Sequence, residues 1–383
     1  MTEKGGANTS LERFLASMEY GPADQVPNYE LGVWSHTQER WENEGLPPWT
    51  FSWDWFTGEE YFGMDHREFI PMNFGMMPPF EHKVLEKTDR YEIVQHPHGV
   101  VTKALIEGTV RGMRSTMDTY LRFPVETLDD FVDLKKRYEA NLPRRLPPYW
   151  QDRIPGWQHR EHVLVLGQNC AAAGFYWRAR EWMGTENVSY AWYDQPTLMH
   201  EMMAFFADYT MEVCRPILER VDVEYFNLNE DLSMKTGPLL SPSTYKEFIY
   251  PHLKRLIAFF KSHGTRYIIL DTDGNCELLI PMFLDAGVDC IWPLERASDM
   301  DPIRLRKKFG KQLRLWGGVD KRELAKDRKA IDDHLRHLAP LVEEGGFVPT
   351  VDHTVPPDIS WENFCHYMER KRALLSGAGR TGL

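Results

Sequence analysis

Apolar residues recur along this chain with two different periods. From about residue 160, short apolar runs of strand length fall at 162–167, 224–228, 266–270, 288–292, 313–317 and 347–351. Between them, helical spacing covers 197–220, 243–262, 276–285, 302–309 and 331–344. Ser241-Pro242 and Ser360 stand where helices should begin, and Gly264, Gly287 and Gly310 where they should end. Repeated strand–helix–strand units imply a parallel sheet. Enough of them to close a ring predict an α/β fold of the (β/α)₈ TIM-barrel type. An early apolar run at 26–34 is expected to supply the first stave. No GxGxxG follows it, so the open doubly wound alternative lacks its phosphate-binding fingerprint.

The N-terminal third has another texture. Aromatic, Met and Pro residues crowd 49–56 and 71–80, and alternating stretches at 91–95 and 100–106 are split by His96-Pro97-His98-Gly99, which predicts a β-hairpin. Helical spacing returns over 128–141 and a Pro-rich connection follows at 142–148. The expected organisation is one barrel domain over residues 1–383, with 49–148 as a hairpin- and loop-rich N-terminal insertion.

Composition narrows the partners. The 383 residues include 45 Lys plus Arg and 57 Asp plus Glu, a formal charge of −12, which disfavours nucleic acid and anionic membrane surfaces. No apolar run approaches the roughly 18 residues that span a bilayer, and the opening MTEKGGANTSLERF lacks the apolar core of a secretory signal. Five cysteines with no CxxC pair point to free thiols in a reducing compartment, hence a cytoplasmic protein.

In a barrel of this kind the reactive groups gather at the C-terminal ends of the strands. Reading past each apolar run gives Gly167-Gln168-Asn169-Cys170, Asn229-Glu230-Asp231, Asp271-Thr272-Asp273-Gly274-Asn275, Glu295-Arg296, Trp316-Gly317-Gly318-Val319-Asp320-Lys321 and Asp352-His353-Thr354. Nearly every end carries an acid. Carboxylates on one rim repel one another and call for protons or a cation. Each acid taken singly could instead cap a helix, as Asp271 or Asp273 could before the run at Cys276.

At these residues the chain resembles the uroporphyrinogen decarboxylase superfamily, in particular its methyltransferase-like branch. The likeness lies in RFLASMEYGPADQVPNYELGVW (13–34), DLSMKTGPLLSPSTYKEFIYPHLKRL (231–256), DTDGNCELLIPMFLDAGVDCIWPLE (271–295), LWGGVDKREL (315–324) and GGFVPTVDHTVPPDISWENF (345–364). It implies a (β/α)₈ barrel with its cleft at the C-terminal mouth. True uroporphyrinogen decarboxylases carry an Arg-rich N-terminal segment that grips porphyrinogen carboxylates. Here 27–34 holds no arginine and Glu30 has the wrong sign, which speaks against the parent decarboxylation. Corrinoid-linked relatives hold zinc with a His-x-Cys pair and a late Cys. Those places are taken here by Asp271-x-Asp273 and His353, and Glu295 matches a glutamate that cobalamin-independent methionine synthases add to the zinc shell.

The resemblance therefore implies a divalent ion, zinc first, held by Asp271, Asp273, Glu295 and His353. Three carboxylates and an imidazole form a harder set than thiolates, compatible also with Mn or Fe and suited to polarising an oxygen. The implied activity is a corrinoid-dependent methyltransferase that demethylates a small O-methyl or related substrate. The corrinoid is expected on a partner protein, because the chain has no Asp-x-His-x-x-Gly segment. Glu230 and Asp231 are the candidate acid catalysts, with a further ligand to the ion or a salt bridge to Lys235 as the alternatives, and Trp34, Asn169 and Trp316 are candidate substrate contacts. Dimers are common in the superfamily, so a homodimer is possible. The alternative activity is a metal-independent decarboxylase or lyase in which the same acids form a hydrogen-bonded rim. Trp34, Trp53, Phe74, Met76 and Met77 suit either an apolar mouth or the core. His96 and His98 suit an exposed turn, and Arg178 and Arg180 a solvated helix face. The cysteines suit small apolar fillers, Cys276 alone lying near enough to a strand end to face the cleft.

Overall fold

A computed structural model describes residues 7–48, 50, 59–110, 113, 114, 117–166 and 174–377, with backbone alone at 109, 110, 113 and 114. Seven strands form one parallel sheet: β1 (Arg67–Ile70), β2 (Val163–Leu166), β3 (Tyr225–Asn229), β4 (Tyr267–Asp271), β5 (Cys290–Trp292), β6 (Arg314–Val319) and β7 (Phe347–Val351), each paired with its neighbours in chain order. Most strand residues are buried on both faces, as the unbroken apolar runs require. Period-two alternation sorts them. Val163, Val165, Tyr225, Tyr267, Ile269, Cys290, Trp292, Trp316 and Val348 share one core with Phe14, Met18 and Tyr29. Their neighbours Leu164, Phe226, Leu228, Ile268, Leu270, Ile291 and Leu315 belong to the larger core that holds the helices.

The expected first stave at 26–34 is not a strand. It makes one parallel bridge, Val33 to Val355 beyond β7. Its backbone also bonds at both margins of the sheet: Gly32 O accepts from Val355 N–H at 2.9 Å, and Asn28 O accepts from Asp65 N–H, ahead of β1, at 3.0 Å. The Asn28 amide donates to the Asp65 carboxylate at 2.8 Å, a side chain taking the place of a ladder partner. Glu30 turns into the core and not toward the mouth. Its carboxylate accepts from Lys371 Nζ at 2.7 Å, Tyr367 Oη at 2.5 Å and Val351 N–H at 2.9 Å, with both Glu30 and Lys371 side chains fully buried.

The N-terminal ends of the strands are covered by a helix at Ser10–Met18, entered through a capping box of Thr9 and Glu12. Leu11 N–H donates to Glu161 O ahead of β2, and Ser17 O accepts from Gly346 N–H ahead of β7, so the helix lies across that end and sends Phe14 and Met18 into the inner core. Chemistry is left to the other end. Ser241 and Ser360 cap their helices through Thr244 and Asn363 N–H, and Gly264, Gly287 and Gly310 follow helix ends, as the sequence predicts.

Between β1 and β2 the chain makes a four-stranded antiparallel sheet (83–87, 91–95, 101–105 and 119–122). It contains the expected hairpin, although His96 is not simply exposed, since its Nε2 lies 2.9 Å from Thr102 Oγ1. The helical spacing at 128–141 yields a helix only over Leu128–Lys135. Of the cysteines described, Cys214, Cys276 and Cys290 are buried fillers, whereas Cys365 is exposed. Cys276 does not face a cleft. No helix among the described residues is long and apolar enough to cross a membrane.

Candidate functional site

Four strand ends bring acids together. Asp271 is the last residue of β4, in register with Asn229 on β3 and Trp292 on β5. It stays in the inner layer, 4% exposed, and its Oδ2 accepts from Asn229 Nδ2 at 3.4 Å. Asp273 lies two residues on, past the strand, and its Oδ2 is 3.2 Å from His353 Nε2. Glu295, after β5, accepts from Gly274 N–H at 2.9 Å and from Lys321 Nζ at 3.4 Å. Gly274 has φ +77°, and a Cβ there would stand 2.6 Å from Ser233 O, so this turn requires glycine.

These contacts form two overlapping triads. Donor atoms of Asp273, Glu295 and His353 lie within 4.8 Å of one another, and so do those of Asp231, Asp271 and Asp273. The four-ligand set read from the sequence is thus divided. Asp273, Glu295 and His353 converge, while Asp271 groups with Asp231. Neither Asp271 nor Asp273 caps the following turn, where Glu277 N–H is bonded by the Asn275 side chain at 3.1 Å.

Charge in the mouth is partly balanced. Asp231, at φ 40°, receives Asp273 N–H at 3.4 Å and pairs with Arg180 at 3.3 Å, not with Lys235. Burial, then the nearby Asp273 charge, pushes the Asp231 carboxyl above the usual carboxylate range. Burial pulls the His353 imidazole down, but its hydrogen bond to Asp273 and that carboxylate's charge outweigh burial and leave it raised. Asp352, fully buried beneath, accepts from Arg296 N–H at 2.9 Å and Lys321 N–H at 3.1 Å. It therefore fixes the loops that present Glu295 and Lys321.

Glu230 is placed elsewhere. It is fully buried, and its carboxyl accepts from Phe175 N–H at 3.1 Å and Tyr176 N–H at 2.8 Å, capping the Phe175–Met183 helix from the neighbouring strand. The helix's own N-cap is Gly174, where a Cβ would come within 2.4 Å of the Glu230 carboxyl carbon. Burial raises Glu230 to about 7. It falls outside both triads, and its bonds to Phe175 and Tyr176 make it a positioning residue for that helix.

The remaining candidates divide likewise. Trp316, a candidate substrate contact, lies 3% exposed in the inner core, stacked on Tyr29 at 5.4 Å. Trp34 is 36% exposed, beside the Val33–Val355 bridge. Phe74 and Met76 belong to the larger core, while Asn169, Cys170 and Trp53 lie outside the described residues. Arg178 and Arg180 are not a solvated face. Arg178 is buried and paired with Glu181, and Arg180 lies 4.5 Å over the Trp177 ring. Sequence reasoning missed Arg180, Lys321 and Asp352 as site residues. Lys321 and Asp352 stand in strand-end segments and were within its reach; the placement of Arg180 depends on packing between distant segments.

A family model described as uroporphyrinogen decarboxylase (URO-D) matches residues 177–374. Among solved structures, a methyltransferase from Methanosarcina mazei superimposes with a TM-score of 0.59 at 15% identity, covering 94% of this chain and 98% of that one, a likeness of fold. No curated protein matches the sequence.

Proposed function

The chain belongs to the uroporphyrinogen decarboxylase family, and from that premise we propose that it is a methyltransferase of the corrinoid-dependent kind. The methyl group of a small O-methyl substrate would pass to the cobalt of a corrinoid carried by a separate protein. The observation that carries this reading is the meeting of Asp273, Glu295 and His353, from three separate strand ends, within 4.8 Å.

Two carboxylates and one imidazole fit a divalent ion, zinc first, and three protein ligands leave a position open for a substrate oxygen. Such an ion, when bound, supplies Lewis-acid stabilisation of charge on that oxygen. Asp352 keeps Glu295 and Lys321 in place, and the Lys321 ammonium offsets the carboxylate charge of Glu295. The ether carbon–oxygen bond breaks toward oxygen, so the leaving alkoxide or phenoxide needs a proton. Asp231, at the edge of the mouth, is the carboxyl placed to supply it, burial and the Asp273 charge favouring its protonated form.

The test combines two measurements on the purified full chain. Elemental analysis after loading with zinc should find about one ion per chain, lost in Asp273→Ala. With a cob(I)alamin acceptor and a panel of methoxylated aromatics, the absorbance of methylcobalamin should rise only with the loaded protein. A loaded protein that transfers no methyl group from any of the panel would refute methyl transfer. A chain that takes up no divalent ion would turn the reading to the metal-independent lyase.

A further inference from the structure

A cavity of about 720 Å³ opens beside the acidic mouth and shares Asp231 with it. One wall comes from the antiparallel sheet and the segment that follows it, where the Tyr120 and Phe123 rings lie 5.7 Å apart and 13° from parallel. The other wall is the helix Phe175–Met183, which contributes Trp177 and Arg180. That volume is ordinary for a small-molecule site. Flat rings on both walls suit a planar guest better than a branched or flexible one.

Arg180 gives the cavity its polar end. Its guanidinium carbon lies over the Trp177 ring, 4.5 Å from the centroid, and two of its N–H groups reach Asp231, one to Oδ2 and one to the backbone O, each at 3.3 Å. The other N–H groups of the fork have no protein partner among the described residues. A guanidinium with donors to spare matches a carboxylate, which can accept two of them side by side. The other titratable groups lining the cavity are His98, whose imidazole burial pulls down, and the acids Glu181, Glu186 and Asp231, of which Glu181 is already paired with Arg178. Among the described residues Arg180 is thus the one fixed cation lining the cavity, and its place beside Asp231 puts the ring of a bound guest next to the acidic mouth.

We infer that this cavity binds the substrate, and that the substrate is an aromatic carboxylate: a planar ring between the Tyr120–Phe123 and Trp177 walls, with its carboxylate on Arg180. The inference rests on the methyl-transfer reading only in calling that guest the substrate. Ring and carboxylate recognition are independent of metal and corrinoid.

Isothermal titration of the full chain in EDTA, without corrinoid, tests it with 3-methoxybenzoate, methoxybenzene and cyclohexanecarboxylate. The expected result is one site, with methoxybenzoate at least about tenfold tighter than either of the others. Arg180→Gln should bring methoxybenzoate to the level of methoxybenzene while leaving methoxybenzene unchanged, which also shows that the variant is folded. Phe123→Leu should weaken both ring compounds and spare cyclohexanecarboxylate. If Arg180→Gln does not fold, the wild-type ligand series decides alone. Equal binding of cyclohexanecarboxylate and methoxybenzoate, an unchanged affinity in folded Arg180→Gln, or no saturation by about 10 mM would overturn the assignment. Ring binding without demethylation would leave this inference standing and sink the methyl-transfer reading. Demethylation indifferent to ring and carboxylate would do the reverse.

Discussion

Replacing Glu230 by Gln should change how stability depends on pH. In the folded protein this carboxyl is wholly buried and holds its proton up to about pH 7, against 4.5 for the ordinary group. Below pH 4.5 both folded and unfolded chains are protonated there, and burial carries no ionisation penalty. As pH rises, the unfolded carboxyl ionises while the folded one stays neutral, so stability falls by about 1.4 kcal/mol per pH unit until the folded group ionises too. Across that window the loss is about 3 kcal/mol, and it levels off above pH 7. Gln cannot ionise. It also offers one acceptor where the carboxyl offers two to Phe175 and Tyr176 N–H, so Glu230→Gln starts with a pH-independent deficit. Urea unfolding of both proteins at about pH 4.5 and pH 8 separates the terms, because every other titrating group is common to the pair. The variant should gain about 3 kcal/mol on the wild type between the two conditions. A gap that moves by less than about 1 kcal/mol would refute the claim that Glu230 is buried neutral.

Three further outcomes follow from the same geometry. Lys371→Met strands the Glu30 carboxylate in the core and should cost about 3–5 kcal/mol, with part recovered on adding Glu30→Gln; a single variant melting like the wild type would contradict the buried pair. Gly174→Ala places a methyl 2.3 Å from Asn229 O and 2.5 Å from the Glu230 carboxylate, and should destabilise the chain by about 2 kcal/mol or more in chemical denaturation. Bound zinc, followed by dialysis across a pH series, should be released as pH falls through the raised titration of His353, because imidazolium cannot ligate. His353→Glu should move that release to more acid pH. A retention profile that His353→Glu leaves unmoved would remove His353 from the ligand set.

The parts of the fold that the sequence discloses are those whose stability is apolar on both faces. Strands β2 to β7 fall within a residue or two of the predicted runs because each is a short uninterrupted set of buried side chains. β1 escaped for the opposite reason. Its sequence Arg-Glu-Phe-Ile looks polar, yet Arg67 lies over the rings of Tyr29 at 4.3 Å and Trp316 at 5.5 Å on the inner side, while Glu68 on the outer side accepts from Trp157 Nε1 at 2.7 Å and lies 2.9 Å from His162 Nε2. The partners of Glu68 lie more than 80 residues away, and the Trp316 ring beneath Arg67 is more distant still. The segment 26–34 shows the complementary failure: apolar enough to be read as a strand, it spends its polar groups on Asp65, Val355 and Lys371 instead of a ladder.

In the site, the residues that sequence reasoning grouped by adjacency are separated by alternation. Asn227 and Asn229 lie on the inner side of the sheet, Asn227 accepting from Trp292 Nε1 at 3.0 Å and Asn229 bonding Asp271. A side-chain period of two then sends Glu230 outward to the helices and returns Asp231 to the mouth, as observed. Asp271 and Asp273 share a parity and so share a side, but the strand ends between them. The first remains in the wall with Asn229, and the second is free to meet residues from two other strand ends. Parity therefore separates Glu230 from Asp231 before any coordinates are known. Which of the acids beyond the strands converge depends on turns such as Gly274, whose amide fixes Glu295 and whose conformation only glycine supplies. The Asp273–Glu295–His353 centre is consequently a property of three loops held by Asp352 and Gly274. Substituting either support should displace the ligands without touching them, lowering metal retention where the ligand residues themselves are intact.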